Sequence, residues 1–145
     1  MKVTITKPSP GDDEEIIVKC HDLHPDIIKL LNKIKSQGNF IMGYLEGTAY
    51  SLNPSDIIFA EAVDRAVFLY TEDAVYETKK RLYELEELLA VHDYARISKS
   101  VIVNMRKIKS VIPSQSVRMI VVMRNGEKLT CSRQYVNEFK SLLGM

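Results

Sequence analysis

Between Phe40 and Cys131 the chain is a succession of short apolar, β-branched and aromatic runs, each closed within a few residues by Gly, Pro, Asn or Asp. Residues 40–45, 49–53, 57–62, 67–70, 75–78, 102–103, 108–112, 119–123 and 129–131 read as strands in this pattern. Asp64-Arg65 and Glu72-Asp73 look like tight turns. Asn125-Gly126 is a two-residue hairpin signal, because both positions tolerate positive φ. One helix interrupts the series, with Leu82, Leu85, Leu88 and Leu89 as its apolar stripe and Glu84, Glu86 and Glu87 outside. A short final helix carries Tyr135, Val136, Phe139, Leu142 and Leu143, with Ser132 as its N-cap. The pattern predicts a mostly β fold with minor α content.

The front of the chain reads differently. Residues 2–6 alternate as a strand would, Pro8-Ser9-Pro10-Gly11 turns the chain, Asp12-Asp13-Glu14-Glu15 is solvated, and residues 15–20 read as a second strand. Pro25 opens a helix with Ile27, Ile28, Leu30, Leu31 and Ile34 on one face, ended by Gln37-Gly38-Asn39. This divides the chain into an α/β extension over residues 1–39 and a strand-rich domain over 40–145.

Charge is divided too. Residues 94–145 hold ten Lys/Arg against two acids, a formal charge of +8, whereas the whole chain is +1, so residues 1–93 sum to −7. A basic segment of this size calls for a polyanionic partner. No apolar run approaches the ~20 residues of a membrane span, and the first residues lack a signal-peptide core, so a cytoplasmic location is expected. Cys20 and Cys131 have no C-x-x-C spacing and are expected as reduced thiols. His21, His24 and His92 form no metal or catalytic set, and no cofactor is expected. Nucleotide, metalloprotease and serine-hydrolase signatures are missing from the sequence, so no catalytic residue is assigned and an enzyme is not expected.

Four segments in order carry a family resemblance. They are Asp56-Ile57-Ile58-Phe59-Ala60-Glu61, then Thr78-Lys79-Lys80-Arg81-Leu82-Tyr83-Glu84-Leu85-Glu86. The third is Tyr94-Ala95-Arg96-Ile97-Ser98-Lys99-Ser100-Val101-Ile102-Val103-Asn104, and the last runs from Asn125-Gly126 through Ser132-Arg133-Gln134-Tyr135. Together they resemble the LytTR family of bacterial DNA-binding domains, over about residues 40–145. The resemblance implies an elongated fold of small antiparallel sheets whose interstrand loops enter successive major grooves of double-stranded DNA, and sequence-specific transcription regulation. Many family members have a histidine where this chain has Ser98.

Carried over from the family, the base-reading positions fall at Arg65 or Ala66, at Ser98 and Lys99, and at Arg133 and Gln134. Arg or Lys can address guanine O6 and N7, and Gln can pair with adenine. Lys79, Lys80, Arg96, Ser100, Arg106, Lys107 and Lys109 are the candidates for phosphate contacts, which add salt-dependent affinity without sequence information. Asn104 is expected to shape a turn rather than to touch DNA. Residues 1–39 are too few for a phosphorylatable receiver domain. They resemble the short extension of stand-alone LytTR regulators, which commonly act with a small multi-pass membrane protein. A homodimer, at least on DNA, is left open, with the Ile27–Ile34 face packing inside the chain or against a second copy. The competing readings are an RNA-binding module and a basic protein-interaction surface.

Overall fold

The structure, a computed structural model, describes residues 2–35, 40–113 and 118–145. In chain order it contains α1 (Pro25–Lys35), β1 (Ile41–Leu45), β2 (Thr48–Leu52), β3 (Phe59–Val63), β4 (Ala66–Tyr70), β5 (Val75–Thr78), α2 (Leu82–Leu89), β6 (Tyr94–Arg96), β7 (Val101–Asn104), β8 (Ile108–Pro113), β9 (Met119–Met123), β10 (Lys128–Cys131) and α3 (Val136–Leu142). Single 3₁₀ turns cover Pro54–Asp56, Ala90–His92, Met105–Lys107 and Arg133–Tyr135. The strands form two antiparallel sheets, one ordered β2-β1-β5-β4-β3-β7-β6 and one ordered β10-β9-β8.

Strand alternation sends neighbouring residues of the larger sheet to opposite faces. Phe59, Ala95, Val101 and Val103 are buried with Met119, Val121, Met123, Leu129 and Cys131 of the smaller sheet and with Val136 and Phe139 of α3. Ala60, Val67, Leu69 and Ile102 are buried on the other face, under Leu82, Leu85 and Leu89 of α2. Leu88, predicted to share that stripe, is 39% exposed; the i, i+3, i+7 spacing of the other three is the set that faces the sheet.

The turns follow local chemistry. Asp64 and Arg65 both have positive φ (49° and 70°) between the paired residues Val63 and Ala66, the signature of a type I′ hairpin turn. Asn125-Gly126 behaves otherwise than predicted. Met123 and Glu127 close the ladder, Gly126 N–H donates to Met123 C=O at 2.9 Å, and Gly126 has φ 91°. This is a three-residue loop with glycine in the left-handed position. Ser132 precedes the final helical segment, but its hydroxyl caps nothing there and lies 3.4 Å from the Ile97 carbonyl instead.

The front of the chain departs further from expectation. Residues 2–24 form no strand; the turn at 8–11 exists, with Asp12 N–H bonded to Ser9 C=O, but the two strand-patterned segments beside it make no ladder. Helix α1 is present. Ile27 is buried and Leu31 and Ile34 half-buried, while Ile28 and Leu30 face outward. The predicted stop at Gln37-Gly38-Asn39 lies outside the described residues. Cys20 is exposed and Cys131 buried, both as free thiols. Among the described residues no helix is long and apolar enough to cross a membrane.

Two polar groups fix the junctions. Asn104, 2% exposed at the end of β7, donates from Nδ2 to Ile57 C=O at 2.9 Å and accepts from Arg106 N–H at 3.0 Å. The Tyr94 hydroxyl lies 2.6 and 2.7 Å from the carbonyls of Pro54 and Ile57, and burial pushes it far above the usual phenol range. Asp93 ties α1 to the body through Lys29 (3.3 Å) and also pairs with Arg106 (2.8 Å). Burial alone would raise the Asp93 carboxyl, but hydrogen bonds and attraction from Arg106 and Lys29 hold it below its ordinary value.

Asn104→Ala removes a cap and a buried donor together, and should destabilise the fold by about 1–3 kcal/mol in chemical denaturation. Because the Asp93 carboxylate is held low, its stabilisation is complete above the ordinary carboxylate range. It is lost as pH falls through the depressed folded value, below about pH 4. Asp93→Asn should therefore loosen α1 already at neutral pH, seen as faster amide exchange in α1 with β3 and β7 unchanged.

Candidate nucleic-acid interface

Strand direction decides which loops share an end of the larger sheet. β3 runs into the Asp64-Arg65 turn. β5 ends at Thr78 opposite Val67, so Lys79 and Lys80 leave at that same end. β7 starts at Val101 opposite Glu61, and Ala62 N–H bonds to Ser100 C=O at 2.8 Å, so residues 97–100 sit there too. The smaller sheet meets them: Ser132, just past β10, donates its amide to Ile97 C=O at 2.8 Å.

The result is one open cleft lined by Ser98, Lys99, Ser100, Arg118, Ser132, Arg133 and Gln134. Lys99, Arg118, Arg133 and Gln134 are exposed, the three serines half-buried, and among the described residues no acid lines the cleft. The Ser98 hydroxyl accepts from Ser100 N–H at 3.2 Å and lies 3.4 Å from the Ser100 hydroxyl, which closes the loop tightly beneath Lys99. Two unit charges 10 Å apart in water repel by only about 0.4 kcal/mol, so such a cluster is tolerable unbound yet strongly favours an anion. A second recess brings Arg65 and Ala66 together with Lys79, Lys80 and Arg81. Arg65 is exposed at the turn tip, whereas Ala66 is half-buried as the first residue of β4. The Lys79 ammonium lies 4.7 Å from the centre of the Tyr44 ring, and Thr78 Oγ1 accepts from Lys80 N–H at 3.3 Å.

Arg96 is not a free phosphate ligand in this geometry. Its Nε donates to Ser98 C=O at 3.0 Å, one terminal nitrogen pairs with Glu86 at 2.7 Å, and the other bonds to Lys99 C=O. Alternation explains this: Ala95 points to the smaller sheet, so Arg96 points to α2, where Glu86 waits. Its guanidinium braces the Lys99 loop from behind. Arg106 and Lys107 follow Asn104, at the opposite end of β7 from Lys99; four strand residues span about 13 Å. Lys109 is exposed beside a register shift in β8, and Arg124 N–H bonds to Lys107 C=O, so these cations form a separate group.

Arg118 was not singled out from the sequence. The signal lay in the hairpin register: Met119 pairs with Cys131, which sets the preceding Arg118 beside the following Ser132. Among the described residues no three His, Cys, Asp or Glu side chains come together as a metal site.

Residues 47–144 match the family model for the LytTr DNA-binding domain. An uncharacterized HTH-type transcriptional regulator of Staphylococcus aureus is 30% identical over 129 residues, covering 88% of this chain and 85% of its own. The sensory transduction protein LytT of Enterococcus faecalis is 31% identical over 111 residues, 77% of this chain and 45% of that protein. The solved LytTr DNA-binding domain of a methyl-accepting/DNA response regulator from Bacillus cereus superposes with a TM-score of 0.70 at 28% identity. It covers 74% of this chain and all of its own. Among the described residues the three α-helices are separated from one another by strands.

Replacing Arg96 with Met should speed amide exchange across residues 98–100 in the free protein. The cost in global stability should be small, because its pair with Glu86 is half-exposed and such pairs contribute about 0.2–1 kcal/mol.

Proposed function

The chain belongs to the LytTR DNA-binding family, and from that premise we propose that it regulates transcription by reading duplex DNA in the major groove through the loops at one end of its larger sheet. The carrying observation is the cleft in which the Lys99 loop, Arg118 and the Arg133-Gln134 turn stand together without an acid. In this reading Lys99 and Arg133 address guanine edges and Gln134 an adenine, with Ser98 and Ser100 as shorter polar contacts. Arg65 at the tip of its type I′ turn, with Lys79 and Lys80 nearby, serves an adjacent segment of the same duplex. Ala66 is the lesser candidate, because its half-buried position at the start of β4 leaves Arg65 the longer reach. Arg106, Lys107 and Lys109 contact backbone further along the duplex and add affinity that falls with salt. Two copies on half-sites about one helical turn apart would double the contacts.

Fluorescence anisotropy across a salt series tests this, using a duplex selected from a random pool and a scrambled control. Lys99→Ala and Arg133→Ala should each reduce preference for the selected duplex by about tenfold to a hundredfold, the worth of a bidentate base contact. Lys109→Ala should weaken both duplexes alike and lower the salt slope by about one. Equal binding of both duplexes by the unmodified protein would refute the reading.

A further inference from the structure

Among the described residues, 2–24 form no helix or strand. Two limbs, residues 2–7 and 13–19, lie on either side of a groove and are joined by the turn at Pro8-Ser9-Pro10-Gly11, where Gly11 has φ 95°. Their sequence is strand-like: Val3 and Ile5 alternate with Lys2, Thr4 and Thr6, and Ile16-Ile17-Val18 is β-branched throughout. Yet among the described residues no ladder bond crosses between the limbs, and Asp12 to Ser9 is the one backbone bond within residues 2–23. Val3, Ile5, Ile16, Ile17 and Leu23 are 81%, 93%, 72%, 67% and 65% exposed. Ile28 and Leu30, on the outer face of α1, are 46% and 44% exposed.

We propose that these limbs are a homodimerisation arm, and that the groove between them receives the corresponding limb of a second copy by strand addition. Three observations select a second copy as the occupant. First, an isolated two-stranded hairpin is at best marginal in water, while three or more strands with an apolar face are stable; two arms together supply four. Second, four exposed apolar side chains, Val3, Ile5, Ile16 and Ile17, stand on the limbs themselves, where a paired limb would cover them. Third, the limbs are charge-complementary. The first carries Lys2 and Lys7, the second begins with Asp13-Glu14-Glu15 after Asp12 and ends in Lys19, and pairing the first limb of one copy antiparallel with the second limb of the other sets Lys7 against the acids. Unpaired backbone then finds partners as it does in any strand-addition complex. The arm pairs without DNA and does not depend on how the cleft reads its ligand.

Sedimentation velocity of the full chain, over two decades of concentration and without DNA, tests the arm. The protein should sediment as a dimer. Ile5→Asp and Ile17→Asp should each weaken self-association about tenfold or more, because a carboxylate would be buried in the paired sheet. Both sites are exposed within one copy, so the melting temperature of the 40–145 core should not move. Ile5→Val should retain the dimer. Cys20 is exposed and Cys131 buried, so spin labels react selectively at Cys20. Dipolar coupling between two such labels should be present in the dimer and absent in the Asp variants. A protein that is monomeric throughout, or a dimer that survives both Asp substitutions, overturns the proposal.

Discussion

The amide of Ser132 donates to the carbonyl of Ile97, and through that contact the ends of two separate sheets become one surface. A backbone hydrogen bond contributes only about 1 kcal/mol net, so it does not hold the sheets together alone. That comes from the seam behind it, where Ala95, Ile97, Val101 and Val103 pack on Val121, Met123, Leu129, Cys131 and Phe139, each larger side chain contributing roughly 1.5–3 kcal/mol. The seam supplies the energy and the hydrogen bond supplies the register. Displaced by one residue, the smaller sheet would present its other face and carry Arg133 away from Lys99.

The same seam explains how a set of like charges can be held close. Lys99, Arg118 and Arg133 each stand next to paired strand backbone: Lys99 between the Arg96 brace and β7, Arg118 at the start of β9, and Arg133 past the end of β10. Rigid strands carry the cost of the loops' conformation, and the cations remain directed outward with acids kept behind them. Glu86 neutralises Arg96 on the α2 face rather than Lys99 in the cleft. Asn104 does comparable service at the far end of β7, where it stitches the strand to Ile57 and starts the turn that carries Arg106 and Lys107 away.

Much of this was legible in the residues. The short runs between turn signals predicted nearly every strand from β1 to β10, and the charge division predicted a basic surface. The four family-like segments carried the cleft residues Lys99, Arg133 and Gln134. What was not legible depended on pairing that no local pattern encodes. Arg96 read as a free cation because its partner, Glu86, lies on a helix ten residues away; only strand parity places the two on one face. Arg118 stayed hidden until the register of Met119 with Cys131 put it beside Ser132. Residues 2–6 and 15–20 have strand composition but no strand partner among the described residues, and composition alone does not make a ladder. At Asn125-Gly126 the turn residues were right and the loop length wrong, because Glu127 still pairs with Met123.

Two basic groups, at opposite ends of β7, compete for the role of primary DNA surface, and they can be separated by a single experiment. Backbone amide chemical shifts, followed as a selected duplex is titrated into the labelled protein, give a residue-by-residue map. The largest changes should fall on Ser98, Lys99, Ser100, Arg118, Ser132, Arg133 and Gln134, with a second group at Arg65. A map centred instead on Arg106, Lys107, Lys109 and Arg124, with the cleft unmoved, would contradict the account.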